Sequence, residues 1–237
     1  MSQYRGRNDV CNHNSKAWFN FNDPIQHDCC GGVSVKMSFI QTLALAMGSS
    51  WVSGINLYAG VATLGLLGRF AHLNLPGELN VLTQWWVIGV ASVLYLIEFF
   101  ADKVPILDSV WDAIHTFIRI PAGAVLAAAA FGDFDKSVQI IAFLLGGGVA
   151  LSSHGTKAAT RAALNTSPEP VSNITASVAE DVVAVGSMSI APFYPVIVIA
   201  IVVIAVIISI ILVPRIIKYL RSVLSQVRRL VGAERLP

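Results

Sequence analysis

Asp108, Asp112, His115 and Arg119 follow one another at steps of four, three and four. On a helix those steps lay all four side chains along one stripe. Carboxylates beside a neutral imidazole suit a hard or borderline divalent cation, so Asp108, Asp112 and His115 are the candidate metal ligands. Glu98 and Asp102 are also four apart and face one side of their own helix end. A second stripe is basic: His154, Lys157, Arg161 and Asn165 recur at steps of three and four. Glu180 and Asp181 are adjacent, so on a helix they point about 100° apart and need different partners. Asn56 lies in Ser53-Gly-Ile-Asn-Leu-Tyr58, a segment read as a bend, where Asn56 and Tyr58 offer polar groups to a cavity.

Three kinds of chemistry fit these residues. A divalent cation or a proton can sit among Glu98, Asp102, Asp108, Asp112 and His115. An anion can be held by Arg119, Lys157 and Arg161. Asp-x-x-x-Asp can also hold Mg²⁺ against a diphosphate, with Lys157 and Arg161 on its oxygens, as in an enzyme acting on a phosphorylated lipid. Two uses without a ligand stay open. The acidic and basic stripes can pair and fix helix register, or parts of 102–119 and 153–170 can be solvated faces outside a bilayer. No phosphate-binding loop, Gly-x-Ser-x-Gly elbow or His-Glu-x-x-His pair occurs, so the sequence leans away from an enzyme.

The elements that carry these residues are apolar. Of 237 residues, 55% are hydrophobic and 13% charged, with mean hydropathy +0.67. So few charges cannot cover the surface of a water-soluble domain, and apolar runs reach the length of a bilayer crossing. The fold class expected is all-α: a polytopic helical membrane protein with about six membrane elements in residues 37–213. Single spans are expected at 82–101, at 108–132 with a kink at Pro121, at 172–190, and at 195–213, where Pro214 ends the helix. Segments 38–70 and 136–165 would be helices of ~50 and ~45 Å, too long for one crossing. Each has a polar, glycine-rich middle, around Gly48–Gly54 and Gly146–Gly155, and both are expected to be broken helices. The order long-broken, span, span then occurs twice, as in two inverted three-element repeats. Many transporters are built so, with sites at the broken helices.

The flanks differ from this middle. Residues 1–36 read as a flexible polar tail holding all three cysteines. Cys11, His13, His27, Cys29 and Cys30 are zinc-ligand types there, without a compact Cys-x-x-Cys pair. Residues 214–237 read as a basic amphipathic helix and tail, with six of the sixteen Lys and Arg in the last 23 residues. That charge puts the C-terminus in the cytoplasm by the positive-inside rule, and an even number of crossings puts the N-terminus there too. The expected location is the inner (plasma) membrane. The expected partners are the lipid bilayer and anionic lipid at the basic helix, with room for a homo-oligomer. A nucleic-acid partner is not needed to explain the charge.

Four motifs carry a family resemblance: Gly54-Ile-Asn-Leu-Tyr58, Glu98-Phe-Phe-Ala-Asp-Lys-Val-Pro105, Asp108-Ser-Val-Trp-Asp-Ala-Ile-His-Thr-Phe-Ile-Arg119 and Asn165-Thr-Ser-Pro-Glu-Pro-Val-Ser-Asn173. With them the sequence resembles, over roughly residues 38–213, the bacterial membrane family known as domain of unknown function 4126. The family usually has Arg-Pro-Pro where this chain has Arg119-Ile120-Pro121. The resemblance implies a multi-span membrane protein whose polar motifs act as a unit, and it implies no activity. The leading expectation is a small transporter or channel for an ion or small solute, using the charged residues inside the membrane.

Overall fold

The computed structural model describes residues 25–27, 33–35, 37–165 and 170–233. A short antiparallel ladder joins β1 (Ile25–His27) to β2 (Val33–Val35). The flexible tail expected for 1–36 otherwise lies outside the described residues. So do Cys11, His13, Cys29 and Cys30, the His27 side chain and the turn at 166–169. From residue 37 onward the described chain is all-α.

α1 (Phe39–Phe70) opens on a capping box. The Gln41 N–H donates to Ser38 Oγ at 3.4 Å, and the Ser38 N–H donates to Gln41 Oε1 at 2.9 Å. This satisfies two of the helix's orphan donors. The helix is broken at Asn56, whose φ of −147° and ψ of 92° are extended. A break is therefore present, two residues beyond the Gly48–Gly54 stretch and inside the Ser53–Tyr58 segment read as a bend. A 3₁₀ helix (Gly77–Thr83) leads into α2 (Trp85–Ala101), and the two are bent by 73° relative to each other. Arg69 lies over the Trp85 ring, 4.6 Å from its centre.

α3 (Pro105–Ala130) begins with proline in its first turn, where a missing N–H costs nothing, and continues as one helix through Pro121. α4 (Lys136–Leu164) corrects the second expected break: it is a single helix through Gly146–Gly155. Its glycines serve close approach instead. A Cβ on Gly146 would run into Ala127 of α3 and Ser50 of α1. A Cβ on Gly54 would overlap Ser153 Oγ and the Ala150 carbonyl of α4. Small residues at a membrane helix interface let backbones come this near.

α5 (Pro170–Ile190) is followed by α6 (Pro195–Ala233), which corrects the expected stop at Pro214. The proline removes one backbone hydrogen bond, yet the helix runs on. Beside it, Arg215 Nη1 donates to the Ile211 carbonyl at 2.9 Å. The amphipathic segment is thus a direct extension of the apolar span.

Among the described residues four helices are long and apolar enough to cross a membrane: Phe39–Phe70, Leu107–Ala130, Lys136–Leu164 and Pro195–Ser222. A fifth results if the 3₁₀ helix and α2 make one bent span. α5 is a helix where one was expected, but Asn173, Thr175, Ser177, Glu180 and Asp181 dilute its apolar character. The stretch 108–118, which could have lain at the membrane edge, belongs to one of the candidate spans.

α1 is the central element and packs against every other helix from α2 to α6. In its apolar window 67% is buried, against 17% in α6. α6 turns Val196, Ile204 and Ile210 outward, as a lipid-facing helix does.

Candidate functional site

The break in α1 sets the backbone geometry of the site. In an unbroken helix the Ala59 N–H would donate to the carbonyl of Ile55. Here it donates to the Asn56 side chain, Oδ1, at 2.9 Å. Asn56 so caps the second half of its own helix. The Ile55 carbonyl turns instead to Lys157 of α4, whose Nζ donates to it at 3.1 Å. Asn56 Nδ2 donates to Asp181 Oδ1 of α5 at 3.0 Å.

Around this break the two stripes meet. Arg119 is completely buried and holds two carboxylates at 2.7 Å, Glu98 Oε1 through Nη2 and Asp112 Oδ1 through Nη1. Lys157 Nζ lies 3.2 Å from Asp102 Oδ2, 3.5 Å from Glu180 Oε2, 3.6 Å from Asp112 Oδ1 and 3.8 Å from Glu98 Oε1. Arg161 grips Glu180 with both arms, Nη2 to Oε2 at 2.8 Å and Nε to Oε1 at 3.3 Å. Its Nη1 donates to the Asn173 carbonyl at 3.2 Å and stands 3.9 Å from Asp108 Oδ2. Such forked contacts suit a guanidinium and are stronger than neutral hydrogen bonds.

Five carboxylates therefore face three cations, with Asp181 a sixth carboxylate alongside. Lys103, the next cation along the chain, donates instead to the Phe99 carbonyl at 2.9 Å and sits over that ring. Several carboxylate oxygens lack a hydrogen-bond donor among the described residues: Glu98 Oε2, Asp102 Oδ1, both oxygens of Asp108, Asp112 Oδ2 and Asp181 Oδ2. Uncompensated charge at membrane depth is costly, and unpaired polar atoms add to that cost.

The two histidines flank the cluster. His115 Nδ1 is 2.8 Å from the Trp111 carbonyl, which can only accept, so Nδ1 carries the proton. In neutral His115, Nε2 then accepts the Tyr58 hydroxyl at 3.1 Å. The imidazole also stacks on the Trp111 ring, with centres 4.2 Å apart. His154 Nε2 shares a 2.7 Å hydrogen bond with Thr116 Oγ1.

These partners correct the metal set. Asp108, Asp112 and His115 share a stripe but turn to Arg161, to Arg119 with Lys157, and to Tyr58. Among the described residues no three His, Cys, Asp or Glu side chains come together as a metal-holding group. Seven residues of helix also separate Asp108 from His115 by ~10 Å along the axis. The donor set does not fit a divalent ion, and the Mg²⁺-diphosphate arrangement loses its carboxylate pair with it. The anion arrangement also finds its cations engaged, because Arg119, Lys157 and Arg161 already hold the chain's own carboxylates.

These motifs belong to one family. Residues 43–215 match the family described as "Domain of unknown function (DUF4126)". The chain belongs to the DUF4126 family. No curated protein and no solved structure matches it. Within this DUF4126 domain, twelve of the thirteen residues singled out from the sequence gather in or directly beside one charge cluster. The thirteenth, Asn165, is an exposed helix cap that accepts from Asn173 Nδ2 at 2.8 Å and donates to Ser109 Oγ at 3.4 Å.

Spacing within the charged stripes did not mark Ser53, Thr116 or Ser177. Ser53 Oγ donates to the Arg119 carbonyl at 2.7 Å. Ser177 is fully buried. A signal for it existed, since Asn173, Ser177 and Asp181 recur at steps of four on α5. An apolar cavity of about 280 Å³ between α1, α2 and α3 touches the cluster at Tyr58 alone. Leu57, Trp86, Val90 and Val125 are among the residues lining it, and no Lys or Arg is, so it offers nothing to a phosphate.

Proposed function

We propose that this membrane protein is a small ion carrier, and that the buried charge cluster holds the cation it moves or couples to. The observation that carries this reading is the excess of carboxylates over cations on closely packed apolar helices, with several carboxylate oxygens still free. A purely structural ion-pair network gains nothing from unmatched negative charge, whereas a site that loads and unloads a cation needs it. Burial supports a carrier over an open pore. Glu98 and Arg119 are fully shielded and Asp102 and Lys157 nearly so, which is an occluded arrangement that must open to exchange an ion. A broken central helix next to such a site is the usual way that membrane transporters bring backbone carbonyls to an ion.

A structural reading is favoured by the engagement of all three cations, Arg119 by Glu98 and Asp112, Lys157 by Asp102 and Arg161 by Glu180. It accounts for those pairs and leaves Asp108 with only a 3.9 Å contact to Arg161 and no hydrogen bond among the described residues.

The location we propose is the inner membrane of a bacterial cell. Arg215, Lys218 and Arg221 directly follow the apolar part of α6 and favour a cytoplasmic C-terminus in contact with anionic lipid. Counting α5 as a crossing makes the number even and keeps the N-terminal segment on the same side. Self-association is an open part of this reading, and exposed Ile and Val along α6 would serve it as well as lipid.

Flux across a sealed vesicle is the test. Purified protein would be reconstituted with a pH-sensitive dye inside, and inward gradients of monovalent cations imposed. The carrier reading expects a protein-dependent change of internal pH or cation content that Glu98→Gln abolishes while the variant stays folded. Equal flux in empty vesicles and in vesicles holding the protein, for protons and for every cation tried, overturns it.

A further inference from the structure

The Lys157 ammonium occupies the position of a bound cation. Five oxygens surround its Nζ: the Ile55 carbonyl at 3.1 Å and carboxylate oxygens of Asp102, Glu180, Asp112 and Glu98 at 3.2, 3.5, 3.6 and 3.8 Å. They come from α1, the end of α2, α3 and α5, while Lys157 reaches in from α4. The ammonium donates to two of them, the Ile55 carbonyl and Asp102 Oδ2, and the other three stand at ion-pair distance.

A second feature points to a ligand independently of the acidic residues. The Ile55 carbonyl is free to face this point only because Asn56 takes over the Ala59 N–H. A backbone carbonyl released by a helix break and turned into a buried acidic pocket is how unwound membrane helices coordinate monovalent cations. The second oxygens of three of these carboxylates, Glu98 Oε2, Asp102 Oδ1 and Asp112 Oδ2, are buried without hydrogen-bond partners among the described residues.

We infer that the pocket around Lys157 Nζ is a binding site for a monovalent cation of ammonium or potassium size, and that Lys157 is its tethered occupant. This rests on the cation-carrier reading and names its substrate class. Ammonium and potassium ions are close in size, so the pocket that fits one accommodates the other. A divalent ion needs oxygens at about 2.0–2.6 Å, much closer than the 3.1–3.8 Å at which these five surround the point. The free ion and the Lys157 ammonium exclude each other, because the same oxygens serve both. Arg119 also holds Glu98 Oε1 and Asp112 Oδ1, and Arg161 also holds Glu180 Oε2, so the guanidinium groups keep three of the five oxygens in place when the ammonium leaves.

The test removes the tether. Lys157→Met keeps much of the side-chain length and deletes the charge, and Lys157→Gln does so with polar atoms retained. Each full-length variant would be purified in detergent, in parallel in potassium chloride, ammonium chloride and choline chloride at equal ionic strength. Thermal unfolding of the variants is expected to rise saturably with potassium or ammonium, by about 5–10 °C at 100 times Kd, and not with choline. Wild type is expected to unfold at the same temperature in all three salts. Adding Asp102→Asn to either variant is expected to remove the potassium effect. A variant that folds only in potassium or ammonium supports the site equally well. Variants that are folded but indifferent to the cation overturn the inference, and so do variants unfolded in every salt, since the free ion then fails to replace the ammonium. The carrier reading fails separately: potassium rescue of Lys157→Met without flux by wild-type vesicles leaves the site standing and removes transport. Flux by wild type without potassium rescue does the reverse.

Discussion

Asn56 Nδ2 donates to Asp181 Oδ1 at 3.0 Å, joining the break in the central helix to an acidic side chain 125 residues further along the chain. The same Asn56 side chain accepts the Ala59 N–H. One residue thus ends the first half of α1, begins the second and ties both to α5. Because Asn56 is only 1% exposed, water cannot substitute for either bond.

Asn56→Ala should therefore destabilise the protein by ~2–4 kcal/mol, the sum of a lost cap and a buried carboxylate left without its donor. Asp181→Asn should cost less, because an amide retains an oxygen that can accept from Asn56. Thermal unfolding in detergent checks the order. If Asp181→Asn proves the more damaging, the Asn56 bond is not what holds Asp181.

Arg119 bridges Glu98 and Asp112 in full burial. Removing one side of a buried ion pair typically costs ~3–5 kcal/mol, mostly for the charge left behind. Arg119→Met should fall in that range or fail to accumulate. Adding Glu98→Gln to Arg119→Met should recover part of the loss, a coupling that a double-mutant cycle measures directly. Strictly additive effects would show that the 2.7 Å contact carries no energy of its own.

How far these contacts can be read from sequence varies with the element. α3 and the first part of α6 are plain, because apolar runs of bilayer length have few other uses. The break at Asn56 is also legible, since a polar side chain two residues after Gly54 in an apolar helix invites one. The glycines of α4 are not, because Gly146 can equally loosen a helix or let Ala127 and Ser50 approach it, and only the neighbours decide. Pro214 misleads similarly: a proline weakens a helix without having to end it. Within the site, spacing reveals that Asp108, Asp112, His115 and Arg119 share a face. It says nothing of the register of α4 and α5 against that face, which gives Asp112 to Arg119 and Lys157 rather than to a metal.

Divalent ions offer a direct check of that reassignment. His115 Nε2 is engaged by Tyr58, and Asp108 and Asp112 face different cations. Millimolar Mg²⁺, Mn²⁺ or Zn²⁺ should shift the unfolding temperature of residues 37–237 by less than ~1 °C, where occupancy at 100 times Kd would add ~2.7 kcal/mol. A clear rise that Asp112→Asn removes would restore a divalent site on the acidic stripe.

The contact between α1 and α4 makes the last prediction, and it separates two glycines that look alike in sequence. A Cβ on Gly54 would overlap both Ser153 Oγ and the Ala150 carbonyl. The serine could rotate away, but the carbonyl belongs to an intact helix and cannot. Gly54→Ala should therefore push α4 off α1 at the level of Asn56 and cost ~1–3 kcal/mol or more, as overpacking does. Adding Ser153→Ala should rescue it only in part. Gly148 is exposed on the same α4, and a Cβ there meets nothing within 4 Å. Gly148→Ala should be neutral or stabilising by up to ~1 kcal/mol, because alanine favours a helix over glycine. Unfolding temperatures of the two single variants and the double variant decide it. Equal effects at 54 and 148 would mean that the approach of α1 to α4 is looser than these contacts require. The Ile55 carbonyl could then not be held against Lys157 by packing alone.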